Sequence, residues 1–159
     1  MFLGGEDRLV DDKLPEWKYR QSAVIPYRRG PDRGGANCGS GDGVEVLLIT
    51  SRGRKRWVSP KGVVEPGMTA ADSAAKEAFE EAGIRGRVDD HPFGAYRYRK
   101  RGGTGTVAVF AMEVSEECDD WPESGVRTRE WLPPQDAAAR VDEAALKEMI
   151  AALPERVGR

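Results

Sequence analysis

Apolar residues fall along this chain in short runs of two different periods. Tyr19–Tyr27, centred on Ala23-Val24-Ile25, and Val44–Thr50 (VEVLLIT) are compact, β-branched stretches bounded by turn-forming residues, the pattern of buried strands. Thr106–Val114 predicts another, with the continuous apolar centre Val107–Met112. Val88 to about Tyr98 predicts one more strand, as does Arg127–Leu132, which Pro133-Pro134 stops. Trp57-Val58-Ser59 reads as a short extended piece ending at Pro60. The period changes to a helical one in two places. Ala71, Ala74, Ala75, Ala78, Phe79 and Ala82 recur on one side of a helix that Thr69 caps and left-handed Gly83 closes. From near Asp142, the residues Ala145, Leu146, Met149, Ile150 and Leu153 repeat the helical spacing. The order β-β-α-β-β-β-α predicts an α/β fold, a mixed sheet with helices packed on it.

Composition narrows the class. At 159 residues the chain can bury a core without disulfides or a structural metal. Residues 1–17 predict a loose arm, leaving 18–155 as one domain. Arg28–Gly43, rich in glycine and holding Pro31, predicts a flexible connection between two strands. A net charge of −2 gives no global pull toward nucleic acid or an anionic membrane. No apolar run approaches the roughly 20 residues that cross a bilayer, so no membrane partner is expected. The N-terminus lacks the basic-then-apolar order of a signal peptide. Cys38 and Cys118 stand alone and far apart, which predicts free thiols and a cytoplasmic protein. A single histidine, His91, excludes a His-rich zinc site and argues against a Ser-His-Asp triad.

The chemistry concentrates on the first helix. At about 100° per residue, Glu77, Glu80 and Glu81 share the side opposite the alanines. Glu77 and Glu81 form a like-charge i, i+4 pair near the C-terminal end, where the helix dipole disfavours anions. Local stability does not select that arrangement, and a divalent cation with hard oxygen ligands would offset it. The turn-rich segment Pro60–Gly67 leads straight into this helix and brings Lys61 beside it.

The stretch Gly62–Ile84 resembles the Nudix box, G-x5-E-x7-R-E-U-x-E-E-x-G-U, in which U is aliphatic. Gly62, Glu77, Ala78, Glu80, Glu81, Gly83 and Ile84 match it, while Met68 replaces its first glutamate and Lys76 its arginine. Arg56–Gly62 and Arg129–Leu132, followed by Asp136-Ala137, extend the similarity beyond the box. The subgroup most similar is that of the diphosphoinositol polyphosphate and diadenosine polyphosphate hydrolases. The resemblance implies a Nudix-type α/β/α sandwich and Mg²⁺- or Mn²⁺-dependent hydrolysis of a phosphoanhydride bond. It implies Glu77, Glu80, Glu81 and the Gly62 carbonyl as metal ligands, with Glu80 alternatively orienting the attacking water. Lys76 would stand in for the arginine that orients a catalytic glutamate, keeping its charge but losing the planar fork. Met68 removes one carboxylate, for which Glu65 is the candidate substitute.

Two basic clusters complete the picture. Arg52, Arg54 and Arg56 form one with Lys55; Arg97, Arg99 and Arg101 form the other with Lys100. With Lys61 they are candidates for gripping a small-molecule polyphosphate, and the second, running into Gly102-Gly103, could be a flap. Solvated loops are the alternative for both. Tyr96 and Tyr98 could stack on a base or belong half to the core. Trp17, Trp57, Trp121 and Trp131 read as packing residues. Two rival functions remain: an RNA 5′-pyrophosphohydrolase, which the net charge disfavours, and a Nudix-fold sensor that binds polyphosphate without cleaving it.

Overall fold

The structure is a computed structural model that describes residues 13–30 and 43–158. Most of the expected arm, and residues 31–42 of the expected glycine-rich connection, lie outside the described residues. Where the chain becomes described, Glu16–Tyr19 form one 3₁₀ turn.

Eight strands make one mixed sheet. They are β1 (Arg20–Arg29), β2 (Val44–Thr50), β3 (Trp57–Val58), β4 (Lys61–Val63), β5 (Ile84–Val88), β6 (Gly94–Lys100), β7 (Gly103–Glu117) and β8 (Arg129–Leu132). The helices are α1 (Ala70–Ala82), α2 (Pro134–Arg140) and α3 (Ala144–Arg156). β1 and β7 run parallel at the centre, and every other pairing is antiparallel. Both central strands share one edge between two partners. β1 pairs with β4 through Gln21–Ala23 and with β2 through Tyr27–Arg29. β7 pairs with β6 in its first half and β5 in its second.

Strand alternation sends successive side chains to opposite faces, so each central strand feeds two cores. Ala23, Ile25, Val46, Leu48, Val107 and Val109 pack under α2 and α3 with Leu146, Ile150 and Leu153. Val24, Leu47, Ile49, Phe110 and Met112 pack under α1 with Ala74, Ala78 and Ala82. Each such Val, Ile, Leu, Phe or Met contributes about 1.5–3 kcal/mol by leaving water. The result is the expected α/β/α sandwich.

The expected helix over Thr69–Ala82 is α1, with the Thr69 hydroxyl accepting from the Asp72 N–H at 3.0 Å and Gly83 at φ 68° closing it. The expected single strand from Val88 to Tyr98 is two, β5 and β6, separated by an irregular segment around Asp89–Phe93. A loop was expected from Lys61, yet Lys61–Val63 joins the sheet as β4 because β1 offers it a free edge. β7 runs to Glu117, past the expected end at Val114, because β5 pairs with its tail. Pro134–Arg140 forms a helix of its own ahead of α3. Among the described residues, no helix is long and apolar enough to cross a membrane.

Candidate active site

The alanine face of α1 has almost no side-chain bulk, so the helix sits directly against the sheet. Its orientation is set by one turn of contacts after another with β4. The Ser73 hydroxyl donates to the Val63 carbonyl at 3.1 Å. One turn later, Glu77 lies over Gly62, where any β-carbon would overlap its carboxyl group. One turn later again, the Lys61 N–H donates to Glu81 Oε1 at 3.2 Å. Residues 73, 77 and 81 thus run along 63, 62 and 61 in reverse order.

The three glutamates expected to act together do not share one environment. Glu81 is buried at 8% exposure, and Glu77 is half-buried beside it. Burial pushes the Glu81 carboxyl up to about 8, Arg127 and the Lys61 N–H pull it down, and Glu77 and Glu123 push it further. Glu77 is also raised, first by burial, with Lys76 and a hydrogen bond from the Glu81 carboxyl acting against the rise. Glu80 instead pairs with Lys76 at 3.2 Å, while the same ammonium lies 4.0 Å from Glu77. Lys76 is held above its ordinary value, chiefly by the bond to Glu80. Glu65 stands exposed in the turn before the helix.

A loop from Cys118 to Thr128 closes the C-terminal end of α1. The Arg129 guanidinium donates to the carbonyls of Ala82 at 2.7 Å and Cys118 at 2.6 Å, and stacks 4.0 Å from the Trp121 ring centre. The Trp121 indole donates to the Glu81 carbonyl at 3.0 Å, and the Glu123 N–H to the Glu80 carbonyl at 3.1 Å. These donors serve carbonyls that every helix leaves open at its C-terminus. They also deliver a fourth carboxylate. Glu123 accepts from Arg127 Nε at 2.7 Å, and Arg127 Nη2 lies 3.6 Å from Glu81, so one guanidinium joins two acids. Arg127 also donates to the Thr50 carbonyl at 3.0 Å. Glu123 and Arg127 were not foreseen. Their only sequence signal is an i, i+4 pair in a loop, a spacing that by itself points to no site.

The basic residues divide. Arg56, Lys61 and Arg99 line a cleft of about 330 Å³, walled by Trp57, Tyr96 and Tyr98 on the α3 side of the sheet. Trp57, expected only to pack, therefore faces this space. Arg52 pairs with Glu123 at 3.2 Å, and Arg54 donates to Gly125 and Thr128. Arg97 lies outside the cleft, towards the groove between β6 and α3. Arg101 sits at the β6–β7 turn, which is pinned rather than loose: Lys100 donates to the Lys18 carbonyl at 3.0 Å, and the Tyr19 hydroxyl donates to the Arg101 carbonyl. Lys61 links the two halves, its backbone on Glu81 and its side chain in the cleft. His91 is exposed and takes no part.

Among the described residues, no three His, Cys, Asp or Glu side chains converge into a ready-made metal cage. Glu77 and Glu81 nevertheless suit a hard cation: two carboxyls crowd together, burial disfavours their charge, and positive charge would relieve both.

Comparison with known proteins agrees with this geometry. The NUDIX domain model matches residues 31–153. Nudix hydrolase 13, mitochondrial, of Arabidopsis thaliana is 34% identical over 128 residues, 73% of this chain and 63% of that protein. Diphosphoinositol polyphosphate phosphohydrolase 2 of Rattus norvegicus is 35% identical over 96 residues, 58% of this chain and 52% of that protein. The chain thus spans between half and two thirds of the length of these curated relatives. The crystal structure of a C. elegans Ap4A hydrolase binary complex superposes with a TM-score of 0.67 at 21% identity, covering 87% of this chain and 96% of that one. The family model, the curated relatives and the arrangement of α1 on β4 lead to one assignment: this chain belongs to the Nudix family.

Proposed function

We propose that this protein is a divalent-metal-dependent hydrolase that cleaves a phosphoanhydride bond in a polyphosphorylated small molecule. Diadenosine polyphosphates and diphosphoinositol polyphosphates are the substrate classes suggested by the similar proteins. The observation that carries this reading is the position of Lys61. Its backbone holds Glu81 in the buried acidic pair, and its side chain enters the cleft where a phosphate chain would lie.

Glu77 and Glu81 are the residues that would hold Mg²⁺ or Mn²⁺, with the Gly62 carbonyl as the further ligand that the family resemblance implies. When bound, the cation supplies charge neutralisation for the phosphate oxygens and makes a nearby water more acidic. The chain does the remaining work by positioning. Lys61, Arg56 and Arg99 orient the phosphates towards α1. Glu80, steadied by Lys76, directs the attacking water in line with the leaving phosphate. Glu123, fixed by Arg127 and Arg52, adds negative charge at the buried end of the site. The names of several plant relatives say mitochondrial. The unbridged Cys118 is the feature of this chain that fits a reducing compartment such as the cytoplasm.

One observation favours a second reading, a sensor that binds without cleaving. Glu80 is engaged by a lysine where the box has arginine, and Met68 takes the place of the first carboxylate. The test is product release from a panel of diadenosine polyphosphates, a diphosphoinositol polyphosphate, nucleoside triphosphates, ADP-ribose and 5′-triphosphate RNA. Each is run with Mg²⁺ and Mn²⁺, and with Glu81→Gln as control. Metal-dependent cleavage that the control loses supports the hydrolase. Cleavage of RNA alone moves the substrate to the 5′ end of a transcript. Binding across the panel without cleavage supports the sensor.

A further inference from the structure

The cleft that Lys61 enters on the α3 side of the sheet carries both signs of charge. Arg56 just before β3, Lys61 of β4 and Arg99 of β6 line it, and so do Asp142 and Glu143 just before α3. The Lys61 ammonium lies among Glu81, Arg56, Arg127 and Lys100, and the Tyr96 hydroxyl feels Glu143 and Tyr98. The rings of Trp57, Tyr96 and Tyr98 wall the same cleft. Glu143 occupies the N-cap position of α3, yet its side chain makes no capping hydrogen bond. Ser59 lines the same cleft at 3% exposure, and its hydroxyl has no hydrogen-bond partner. A buried hydroxyl without a protein partner takes one from a ligand or an ordered water.

We infer that Asp142 and Glu143 are specificity-determining residues that accept hydrogen bonds from a nucleoside and repel a ring carrying phosphates. The inference rests on the hydrolase reading and chooses between its two substrate classes. A nucleoside polyphosphate has the matching polarity: phosphates at one end for Arg56 and Lys61, a flat base for the aromatic walls, and N–H or O–H donors at the other end. An inositol ring phosphorylated on all sides would bring phosphate against two carboxylates whichever way it entered. Like charges brought together cost affinity without offering a hydrogen bond.

The experiment is calorimetric binding to the metal-free protein, with adenosine 5′-monophosphate and inositol hexakisphosphate as probes. The intact protein is expected to bind the mononucleotide more tightly, although it carries less charge. Glu143→Ala weakens the mononucleotide by roughly tenfold, the worth of one hydrogen bond to a charged group. Glu143→Lys and, separately, Asp142→Lys strengthen inositol hexakisphosphate by a similar factor. Preference of the unmodified protein for inositol hexakisphosphate, no detectable mononucleotide binding, or indifference of both probes to these variants overturns the inference. Because binding is read without metal, absence of cleavage in the substrate panel would refute the hydrolase reading and leave this result standing.

Discussion

Gly62 lies under Glu77 so closely that a β-carbon there would overlap the glutamate carboxyl and come within 2.7 Å of its Cγ. The glycine is needed for space, since its backbone is ordinary paired strand. Gly62→Ala forces Glu77 off the sheet and with it one of the two proposed cation ligands. Overpacking of this kind costs about 1–3 kcal/mol. Turnover should fall by about 100-fold or more, since small misplacements of reacting groups have that effect. Denaturant unfolding and steady-state kinetics on the variant check both.

Among the described residues, Arg127 is the one cation joined to both Glu81 and Glu123, and its side chain is only 10% exposed. Arg127→Met leaves the buried Glu81 without its ion-pair partner and Glu123 with Arg52 alone, a loss of about 3 kcal/mol by comparison with other broken buried pairs. Arg127→Lys keeps the charge but reaches fewer of the three acceptors, so it should recover only part. Urea denaturation of the two variants measures the difference, and equal stability to the parent protein would remove Arg127 from the account.

The Glu81 carboxyl, raised from 4.5 to about 8, makes stability depend on pH. Over that interval the folded, metal-free protein binds more protons than the unfolded chain, so this contribution to stability falls as pH rises. It is fully present below about pH 4.5 and lost by about pH 8. The melting temperature without metal should therefore decline across this window, and saturating Mg²⁺ should flatten the decline. Calorimetry at several pH values, with and without Mg²⁺, gives the two slopes; parallel slopes would contradict the role of Glu81.

Arg129 secures the end of α1 through the Ala82 and Cys118 carbonyls and the face of Trp121. Arg129→Ala should cost about 2–3 kcal/mol, combining charged hydrogen bonds and a cation–π contact. Because the same loop carries Glu123, hydrogen exchange should quicken at Glu123 and at Trp121 together. Exchange that quickens at neither would show that the loop holds itself.

Lys76 separates function from stability. Its ion pair with Glu80 is open to water, so Lys76→Ala should change stability by less than about 1 kcal/mol. Turnover should nevertheless drop, since Glu80 loses the group that steadies it. Lys76→Arg should match or exceed the parent rate, because a planar fork orients a carboxylate better than an ammonium does. Unchanged turnover in Lys76→Ala would take Glu80 out of the reaction.

How much was legible in the sequence depends on the range of the interaction. α1 was readable to its caps because Thr69 and Gly83 act on backbone groups three to five residues away. The acids of the box were readable as a set for the same reason, since helical spacing is local. That Glu80 parts from Glu77 and Glu81 was not, because the separation comes from β4 lying along one side of the helix. β4 itself was hidden in a segment rich in glycine and proline, and it is a strand because β1 has an edge to fill.

The sequence by itself determined the two helical faces, the buried central strands and the family, all properties written in spacing between near neighbours. Tertiary structure decided which carboxylates are buried, which cations reach the cleft, and that Glu123 and Arg127 come to lie beside Glu81. Trp121 meets Glu81 across 40 residues, and Arg129 meets Ala82 across 47. No periodicity encodes contacts of that range. They exist because α1, packed flat by its alanines, ends where the loop before β8 must pass, and its open carbonyls need donors.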